Sequence, residues 1–325
     1  MSEGCLYLKI FNRTLVMPSL IIIGNPAAGR GKTIRYWPKL EAALRNKGWT
    51  FDIRWTKEKG EARVMAAKAV SENPDLIVSY GGDGTAHEVI NGIMDNKLLA
   101  TQVVFTVYPI GTGNDWARYW KIPKKLTSWI EMVDQGKIYD HDLGQIELLD
   151  PQGRPHLHVF NNVAGAAYDA HVADYIESKK KKMSGGGLQY LWFIFRCLFS
   201  YQLQPSRLTW PEGRVEDHFY TINIGMCPFS GGGLHLVPHA NPNQGMLAVT
   251  AVRPLPRWKV ILLTPLFYSG TILRHPKVLH FKTPDLLMEP GSPDENVKLE
   301  AEGEYLGNLP ARLSVLLKAL KICAP

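Results

Sequence analysis

The stretch Gly81-Gly82-Asp83-Gly84-Thr85 joins two segments of different periodicity, and the fold follows from it. Residues 76–80 before it are apolar and β-branched, which is typical of a buried strand. Residues 86–94 after it carry apolar side chains at helical spacing. Glycines between a strand and a helix let main-chain N–H groups approach an anion, most often phosphate. Since Asp83 would repel phosphate alone, the turn also indicates a divalent cation or a hydroxyl proton.

Two further units of a strand followed by a glycine turn lie on either side of it. Residues 20–23 lead to Asn25-Pro26-Ala27-Ala28-Gly29-Arg30, and residues 103–108 lead to Pro109-Ile110-Gly111-Thr112-Gly113-Asn114-Asp115. With helices predicted at 37–47 and 61–71, the order implies parallel strands with right-handed crossovers. Ligands of open α/β sheets bind at the carboxyl ends of the strands, so we expect the three turns to meet there. The alternative interpretation of any one turn is that its glycines only allow the chain to bend and bind no ligand.

The charge balance indicates anionic partners. The net charge is +7 and the pI is near 9.1, which suits nucleotides, acidic lipid surfaces or nucleic acid. No arginine-rich tract with interleaved aromatic residues is present, so nucleic acid is not expected. The cysteines are scattered without a C-x-x-C pair and are interpreted as reduced thiols of a cytoplasmic protein: Cys5, Cys197, Cys227 and Cys323.

No segment predicts a transmembrane helix. The apolar runs at 191–200 and 260–268 fall short of the roughly 18 residues that span a bilayer. Residues 1–16 lack the features of a signal peptide and are interpreted as an extension or an upstream start. The lysine run at 179–182 is either a solvated loop or a contact with anionic lipid headgroups. We therefore expect peripheral association with a membrane surface.

The second half of the chain changes character. Short strand-like segments at 156–163, 219–225, 246–252 and 277–282 alternate with turn signals, a pattern typical of an antiparallel sandwich. A helix is predicted at 188–200, and residues 297–304 and 313–322 close the chain. The predicted division is an α/β domain at 17–140, a β-sandwich domain at 141–308 and a segment at 309–325 that returns to the first domain.

Taken together, the motifs resemble the diacylglycerol kinase catalytic-domain superfamily. The sequence is most similar to soluble bacterial lipid kinases and more distantly similar to sphingosine and ceramide kinases. The resemblance covers nearly the whole chain from Met17 and rests on the three turns, on His87, Glu88, Asn91 and Gly92, and on Glu302-Gly303-Glu304. NAD kinases share the central turn, but their threonine- and serine-rich substrate loop is not found, and the Pro-x-Gly-Thr-x-Asn-Asp turn is typical of lipid kinases.

The resemblance implies a nucleotide-binding α/β domain of the NAD kinase/diacylglycerol kinase type, a lipid-binding antiparallel β-sandwich, and an active site in a cleft between them. The implied reaction transfers the γ-phosphate of ATP to a lipid hydroxyl, most simply that of diacylglycerol. Glu304 matches the proton acceptor, with Asp83 as the rival, and Asp83 and Asp115 match acids that hold catalytic Mg²⁺. Positions that match ATP contacts are Asn25, Pro26, Ala27, Ala28, Gly29, Thr56, Gly82, Asp83, Gly84, Thr85, His87, Glu88 and Thr112. Further candidates for the phosphate and Mg²⁺ site are Arg30, Gly111, Asn114 and Asp115.

Four positions bear on how far the resemblance extends. Gln244 and Ala248 stand where related chains carry acids that hold a structural magnesium, and a neutral amide is a poor ligand for a hard dication. Arg30 stands where lysine is common, which keeps the charge but changes its geometry. Asp169 lies near the position where sphingosine kinases hold the polar head of their substrate, but the preferred interpretation is a surface aspartate.

Two other functions stay open. One is a kinase of a soluble metabolite related to NAD kinase. The other is a nucleotide- or lipid-binding regulator without turnover, against which the presence of Asp83, Asp115 and Glu304 argues. A homodimer is a further alternative, because the sequence does not determine the oligomeric state.

Overall fold

The computed structural model of the protein describes residues 18–149, 154–179 and 196–325. The chain divides into two compact units: unit 1 extends to Leu143 and includes Leu317–Pro325, and unit 2 is Gly144–Leu316. The N-terminal residues 1–16, the lysines at 180–182 and residues 188–195 of one predicted helix lie outside the described ranges. Residues 196–200 are helical.

Unit 1 is an α/β domain built on a parallel sheet, as predicted. Its elements are β1 (Ser19–Gly24), α1 (Ala28–Asn46), β2 (Thr50–Trp55), α2 (Glu61–Ser71), β3 (Leu76–Gly81), α3 (Asp83–Met94), α4 (Lys97–Ala100), β4 (Val104–Pro109), α5 (Asp115–Tyr119) and α6 (Leu126–Gln135). The strands lie in the order β2-β1-β3-β4, and all neighbours are parallel. Every residue of β3 and β4 is buried, which explains their continuous apolar runs in the sequence.

Helix α1 begins nine residues before the predicted start at position 37. Its first residues include a left-handed turn at Gly29, Arg30 and Gly31, with φ of 57°, 61° and 77°. After this turn Thr33 is buried, but the side chains of Ile34, Arg35 and Tyr36 are exposed. The apolar periodicity that predicts a helix therefore begins later than the helix itself.

Unit 2 is an antiparallel β-sandwich, again as predicted. Its elements are β5 (Ile138–Leu149), β6 (Pro155–Phe160), β7 (Val163–Ala167), α7 (Tyr168–Lys179), β8 (Gln204–Trp210), β9 (Gly213–Phe219), β10 (Thr221–Gly225), β11 (Phe229–Ser230), β12 (Leu234–His235), β13 (Leu247–Val252), α8 (Arg257–Ser269), a 3₁₀ turn (Ile272–Arg274), β14 (Val278–Thr283), β15 (Asp285–Pro290), β16 (Lys298–Ala301), β17 (Glu304–Asn308) and β18 (Ala311–Cys323). One layer has the order β14-β13-β10-β7-β16-β17. Phe160, Phe219 and Leu286 from the other strands pack against Ile222 and Val249 of this layer.

Two predicted strands extend across a break between observed strands, and so does one of the segments that close the chain. The segment 156–163 breaks at Asn161 and Asn162, whose N–H groups donate to Oε1 of Glu302 at 3.0 and 2.6 Å. The segment 219–225 spans the end of β9 and the whole of β10, and 297–304 contains β16 and the first residue of β17. Apolar periodicity continues through such breaks, because both strands face the same core.

The last residues of β18 belong to unit 1. Lys321 and Ile322 pair in parallel with Val104 and Phe105 of β4, and the hydroxyl of Thr106 donates to the carbonyl of Cys323 at 2.9 Å. Within the described ranges, no helix has the length and apolar character needed for a passage through the bilayer.

Candidate functional site

The three glycine turns of unit 1 meet at the carboxyl ends of β1, β3 and β4. The N–H group of Asn25 donates to the carbonyl of Tyr80 at 3.1 Å. The N–H groups of Ile110 and Gly111 both donate to the carbonyl of Gly81, at 2.9 and 3.1 Å. The first and third turns are therefore bonded to the end of β3 that carries the central turn.

Close approach explains the glycines at two of these positions. A Cβ atom on Gly111 would lie 2.5 Å from Cα of Gly82. A Cβ atom on Gly29 would lie 2.5 Å from the carbonyl oxygen of Ile110, at a residue whose φ is +57°. A larger residue at either position would push the turns apart, so these glycines do more than permit a bend.

Two carboxylates, Asp83 and Asp115, lie together at this junction. The N–H group of Asp115 donates to Oδ1 of Asp83 at 2.9 Å, and the N–H groups of Asn114 and Trp116 also donate to that carboxylate. A Cβ atom on Gly113 would lie 2.9 Å from Oδ2 of Asp83 and 3.4 Å from Oδ2 of Asp115. Burial and then the charge of Asp115 raise the pKa of Asp83 to about 6, against the effect of its main-chain donors.

The chemistry of this acid pair fits a hard divalent cation. Carboxylate oxygens are the preferred protein ligands of Mg²⁺, and a cation between the two acids would relieve the repulsion that raises the pKa of Asp83. The position at which related chains hold a structural magnesium lacks suitable ligands in this protein. There the ammonium of Lys282 donates to Oε1 of Gln244, and Ala248 is a buried residue of β13.

Several other predicted ATP contacts lie in the same turns. The side-chain amide of Asn25 donates to Oγ1 of Thr85 at 3.4 Å, and its Oδ1 accepts the N–H of Ala27 at 2.9 Å. Thr56 is buried, and its N–H donates to the carbonyl of Gly24 at 2.9 Å. Asn114 is buried and donates to the carbonyl of Gly111 at 2.6 Å. Pro26, Ala28 and Gly82 are partly buried, and Gly84, Arg30 and Thr112 are exposed.

Two predicted contacts have visible packing roles in unit 1. Oε2 of Glu88 accepts the N–H of Ala62 at 3.2 Å, in the first turn of α2. His87 is buried, and its carbonyl accepts a hydrogen bond from the side chain of Asn91 at 3.0 Å. Glu88 thus connects α3 to α2, whereas His87 and Asn91 are bonded within α3.

The acids of the C-terminal motif lie on the hairpin of β16 and β17 in unit 2. Glu304 is the first residue of β17 and is partly exposed. Glu302, at φ +55°, turns the chain and binds the main chain between β6 and β7. Glu300 is buried, and its Oε2 accepts the N–H of Gly303 at 2.7 Å.

The interpretation of Asp169 as a surface residue is wrong. Asp169 lies at the start of α7, is partly buried, and accepts hydrogen bonds from the hydroxyl of Thr221 and from Asn223. A Cβ atom on Gly165 would lie 2.5 Å from Oε1 of Glu300 and 3.2 Å from Cβ of Asp169, so the two acids are neighbours. Burial raises the pKa of both, and that of Glu300 well above its usual range.

Aromatic rings lie beside this second acid pair. The rings of Tyr168, Tyr201 and Tyr220 have centroids 4.9–5.9 Å apart, and burial followed by the charge of Asp169 raises the pKa of both Tyr201 and Tyr220. Sequence reasoning missed Glu300, Thr221 and Asn223. The available signal is the period-two placement of Thr221 and Asn223 in the otherwise apolar strand β10.

Comparison with known families agrees with both units. Residues 19–146 match the family described as "Diacylglycerol kinase catalytic domain", and residues 162–324 match "YegS C-terminal NAD kinase beta sandwich-like domain". A diacylglycerol kinase catalytic domain followed by such a sandwich defines the class of protein as a kinase. The chain belongs to the diacylglycerol kinase catalytic-domain superfamily, as its motifs indicate.

Individual relatives cover nearly the whole chain. A protein from Staphylococcus aureus (strain MRSA252) described as diacylglycerol kinase is 26% identical over 304 residues, which cover 94% of this chain and 91% of the relative. One of the same description from Staphylococcus saprophyticus is 25% identical and covers 94% of each chain. A solved structure from Bacillus anthracis str. Sterne, described as a diacylglycerol kinase, has the same fold at TM-score 0.67 and 20% identity, covering 96% of this chain and 98% of its own.

Proposed function

We propose that the protein is an ATP-dependent lipid kinase that transfers the γ-phosphate of ATP to the hydroxyl of a membrane lipid, most simply diacylglycerol. The observation that carries this proposal is the Asp83–Asp115 pair, which lies where three glycine turns meet. Catalysis of phosphoryl transfer consists mainly of positioning phosphates and neutralising their charge. A turn that supplies main-chain donors and two adjacent carboxylates suits both tasks.

In this proposal unit 1 binds ATP. The turns that begin at Asn25, Gly82 and Gly111 would bind phosphate oxygens through main-chain N–H groups, and the exposed Arg30 would add a positive charge. Asp83 and Asp115 would hold Mg²⁺, which supplies charge neutralisation at the phosphate oxygens when it is bound. Thr85 and Thr56 would keep the turns in register through the contacts to Asn25 and Gly24.

Glu304 is our candidate for the group that accepts the proton of the lipid hydroxyl. It is the first residue of β17 and is partly exposed, so its carboxylate can reach a group outside the sandwich. Asp83 is the rival, because a carboxyl with a pKa of about 6 is well matched to accept a proton near neutral pH.

We further propose that unit 2 binds the lipid, with its polar head at Asp169. The observation that favours this position is the group of polar side chains around Asp169, namely Glu300, Thr221 and Asn223, in a sandwich that is otherwise apolar. Such groups would hydrogen-bond the hydroxyls of a lipid head, while the β-sandwich and its tyrosines supply apolar surface. A protein of this kind would act peripherally, from the cytoplasmic face of a membrane.

The test is a radiolabelled-ATP assay with diacylglycerol, ceramide and sphingosine in mixed micelles, and with NAD in solution. We expect label in a lipid, with Mg²⁺ required, and a strong loss of turnover in Glu304→Gln, about 10²-fold or more. Label in NAD but in no lipid would instead favour the soluble-metabolite kinase. ATP binding without any lipid-dependent release of ADP would favour the regulator.

A further inference from the structure

Helix α8 of unit 2 presents apolar side chains to solvent. Trp258, Ile261, Leu262 and Tyr268 are 60%, 38%, 66% and 59% exposed, and their spacing places them on one face. The opposite face, with Val260, Leu266 and Phe267, packs on the core of the sandwich. A helix on the surface of a globular protein ordinarily carries polar residues on its outer face. We therefore expect the outer face of α8 to contact an apolar partner.

The chain around α8 has an unusual charge pattern. Residues 218–284 contain no Asp or Glu and six Lys or Arg, so this stretch carries +6 of the net charge of +7. Arg257 and Lys259 lie in the first turn of α8, and Arg274 and Lys277 follow the helix. All four are exposed, and within the described part of the chain none of them forms an ion pair. An anionic surface complements this pattern.

The same helix is connected to the acids of unit 2. The guanidinium of Arg257 donates to the carbonyl of Tyr201 at 3.4 Å, and the ring of Tyr201 packs on Tyr168 and Tyr220 beside Asp169. Phe199, two residues before Tyr201, is 61% exposed. A surface bound at α8 would thus lie close to the position proposed for the lipid head.

We propose that α8 is the membrane-docking element of this protein, lying in the plane of an anionic bilayer with Trp258, Leu262 and Tyr268 at the boundary between headgroups and acyl chains. Its 13 residues extend about 20 Å, too short to cross a bilayer but typical of an interfacial helix. Aromatic side chains with polar edges suit that boundary, and basic residues suit its anionic headgroups. The inference rests on the proposed lipid kinase function, since it states how the enzyme reaches its substrate.

The charge pattern also argues against a second copy of the chain as the partner. In a twofold dimer built on α8, each basic stretch would face its own copy, because such interfaces pair identical surfaces. The four exposed cations would then repel one another, whereas an anionic bilayer attracts all of them.

The test is co-sedimentation of the full chain with vesicles, without ATP. We expect binding to vesicles of phosphatidylglycerol and phosphatidylcholine, and much weaker binding to pure phosphatidylcholine. Leu262→Glu should weaken binding about tenfold or more, because one large apolar side chain is lost from the boundary. Val64→Glu, at a 71% exposed residue of α2, is the matched control and should bind as the original chain does. Lys259→Gln and Arg274→Gln should each weaken binding about fivefold and reduce its salt dependence.

Three outcomes would overturn the proposal. Equal loss in Leu262→Glu and Val64→Glu would show a general effect of added negative charge. Binding to neutral and anionic vesicles alike would remove the role of the cations. No vesicle binding, combined with a dimer that Leu262→Glu dissociates in sedimentation, would assign the face to self-association. Because ATP is absent from the assay, vesicle binding by a chain that phosphorylates no lipid would leave the docking element in place and reject the kinase.

Discussion

Each unit of this protein holds a pair of neighbouring acids, and the two pairs lie in opposite surroundings. Asp83 and Asp115 lie on glycine turns at the ends of strands, where three main-chain N–H groups donate to Asp83. Glu300 and Asp169 lie at the six-stranded sheet of unit 2, and one main-chain N–H donates to Glu300 at 2.7 Å. The pKa of Asp83 is about 6, whereas that of Glu300 is raised well above its usual range by burial and by neighbouring acids.

The difference shows how surroundings divide one kind of side chain between two tasks. Near neutral pH, Asp83 is mainly ionised and can hold a cation or accept a proton. Burial and the neighbouring acids raise the pKa of Glu300 and so favour its protonated form, which can donate a hydrogen bond to a neutral polar group. The first property suits phosphate chemistry, and the second suits the recognition of a lipid head.

The largest effect is expected from Asp83→Asn, which removes the charge of one acid from the pair in unit 1. The amide keeps the shape of the side chain but removes the charge proposed to hold Mg²⁺, so we expect lipid phosphorylation to fall about 10³-fold. Asp134→Asn changes an exposed acid of the same unit, paired only with Lys47 at 2.8 Å, and serves as the control for folding and turnover. Undiminished turnover in Asp83→Asn would remove the acid pair of unit 1 from the mechanism.

The glycine turns that position Asp83 and Asp115 can be tested with two glycine variants, one of which serves as the control. Gly29→Ala and Gly31→Ala both place a side chain at positive φ, which costs about 1 kcal/mol each. Only at Gly29 would the methyl group also meet the carbonyl of Ile110, at 2.5 Å, while nothing lies within 4 Å at Gly31. We expect Gly29→Ala to lower the free energy of unfolding by about 3 kcal/mol in total and to weaken ATP binding. Equal losses from thermal unfolding of the two variants would show that backbone strain alone matters here.

Much of unit 1 can be predicted from the sequence because its signals are local. Apolar runs of β-branched residues followed by glycine turns predict β1, β3 and β4, and the carboxyl ends of parallel strands lie at one edge. Asp83 and Asp115 are placed at that edge by the same argument. The contacts of Glu88 with α2 and of His87 within α3 could not be predicted, since they depend on how helices pack.

Unit 2 is harder to predict because its signals depend on distant parts of the chain. The break between β6 and β7 is held by Glu302, about 140 residues away, and no local turn signal marks it. Glu300 and Asp169 are also far apart in sequence and meet only through Gly165 and the pairing of β7 with β16. Helix α8 lacks the polar outer face from which an amphipathic helix is recognised.

The variant His141→Gln tests the packing around Trp116, the residue that follows Asp115 in unit 1. Trp116 follows Asp115, and its indole N–H donates to Nε2 of the buried His141 at 2.9 Å. Burial lowers the pKa of His141 to about 4, against the effect of its hydrogen bond with the carbonyl of Asp142. The unprotonated Nε2 is the form that accepts the indole N–H. The unfolded chain takes up that proton near its ordinary pKa of 6.5, so the native state loses stability as the pH falls from 6.5 towards 4.

We expect this loss to reach about 2 kcal/mol at pH 5 relative to pH 7. His141→Gln should remove that part of the pH dependence of the thermal midpoint, whereas His218→Gln, at an exposed residue of β9, should retain it. A slope that survives in His141→Gln would assign the acid sensitivity to other groups.

The smallest effect is expected from Glu300→Gln, which places a neutral side chain of the same shape where burial already favours the neutral form of the carboxyl. Oε1 of the new amide can still accept the N–H of Gly303, so the free energy of unfolding near neutral pH should change by less than about 0.5 kcal/mol. The raised pKa of Glu300 contributes stability that is present below its ordinary pKa and is lost as the pH rises through its value in the native state. Glu300→Gln has no carboxyl to ionise, so its free energy of unfolding should increase relative to that of the original chain as the pH rises. A large loss of stability at neutral pH would mean that Glu300 is charged, and the two acid pairs would then differ in position but not in kind.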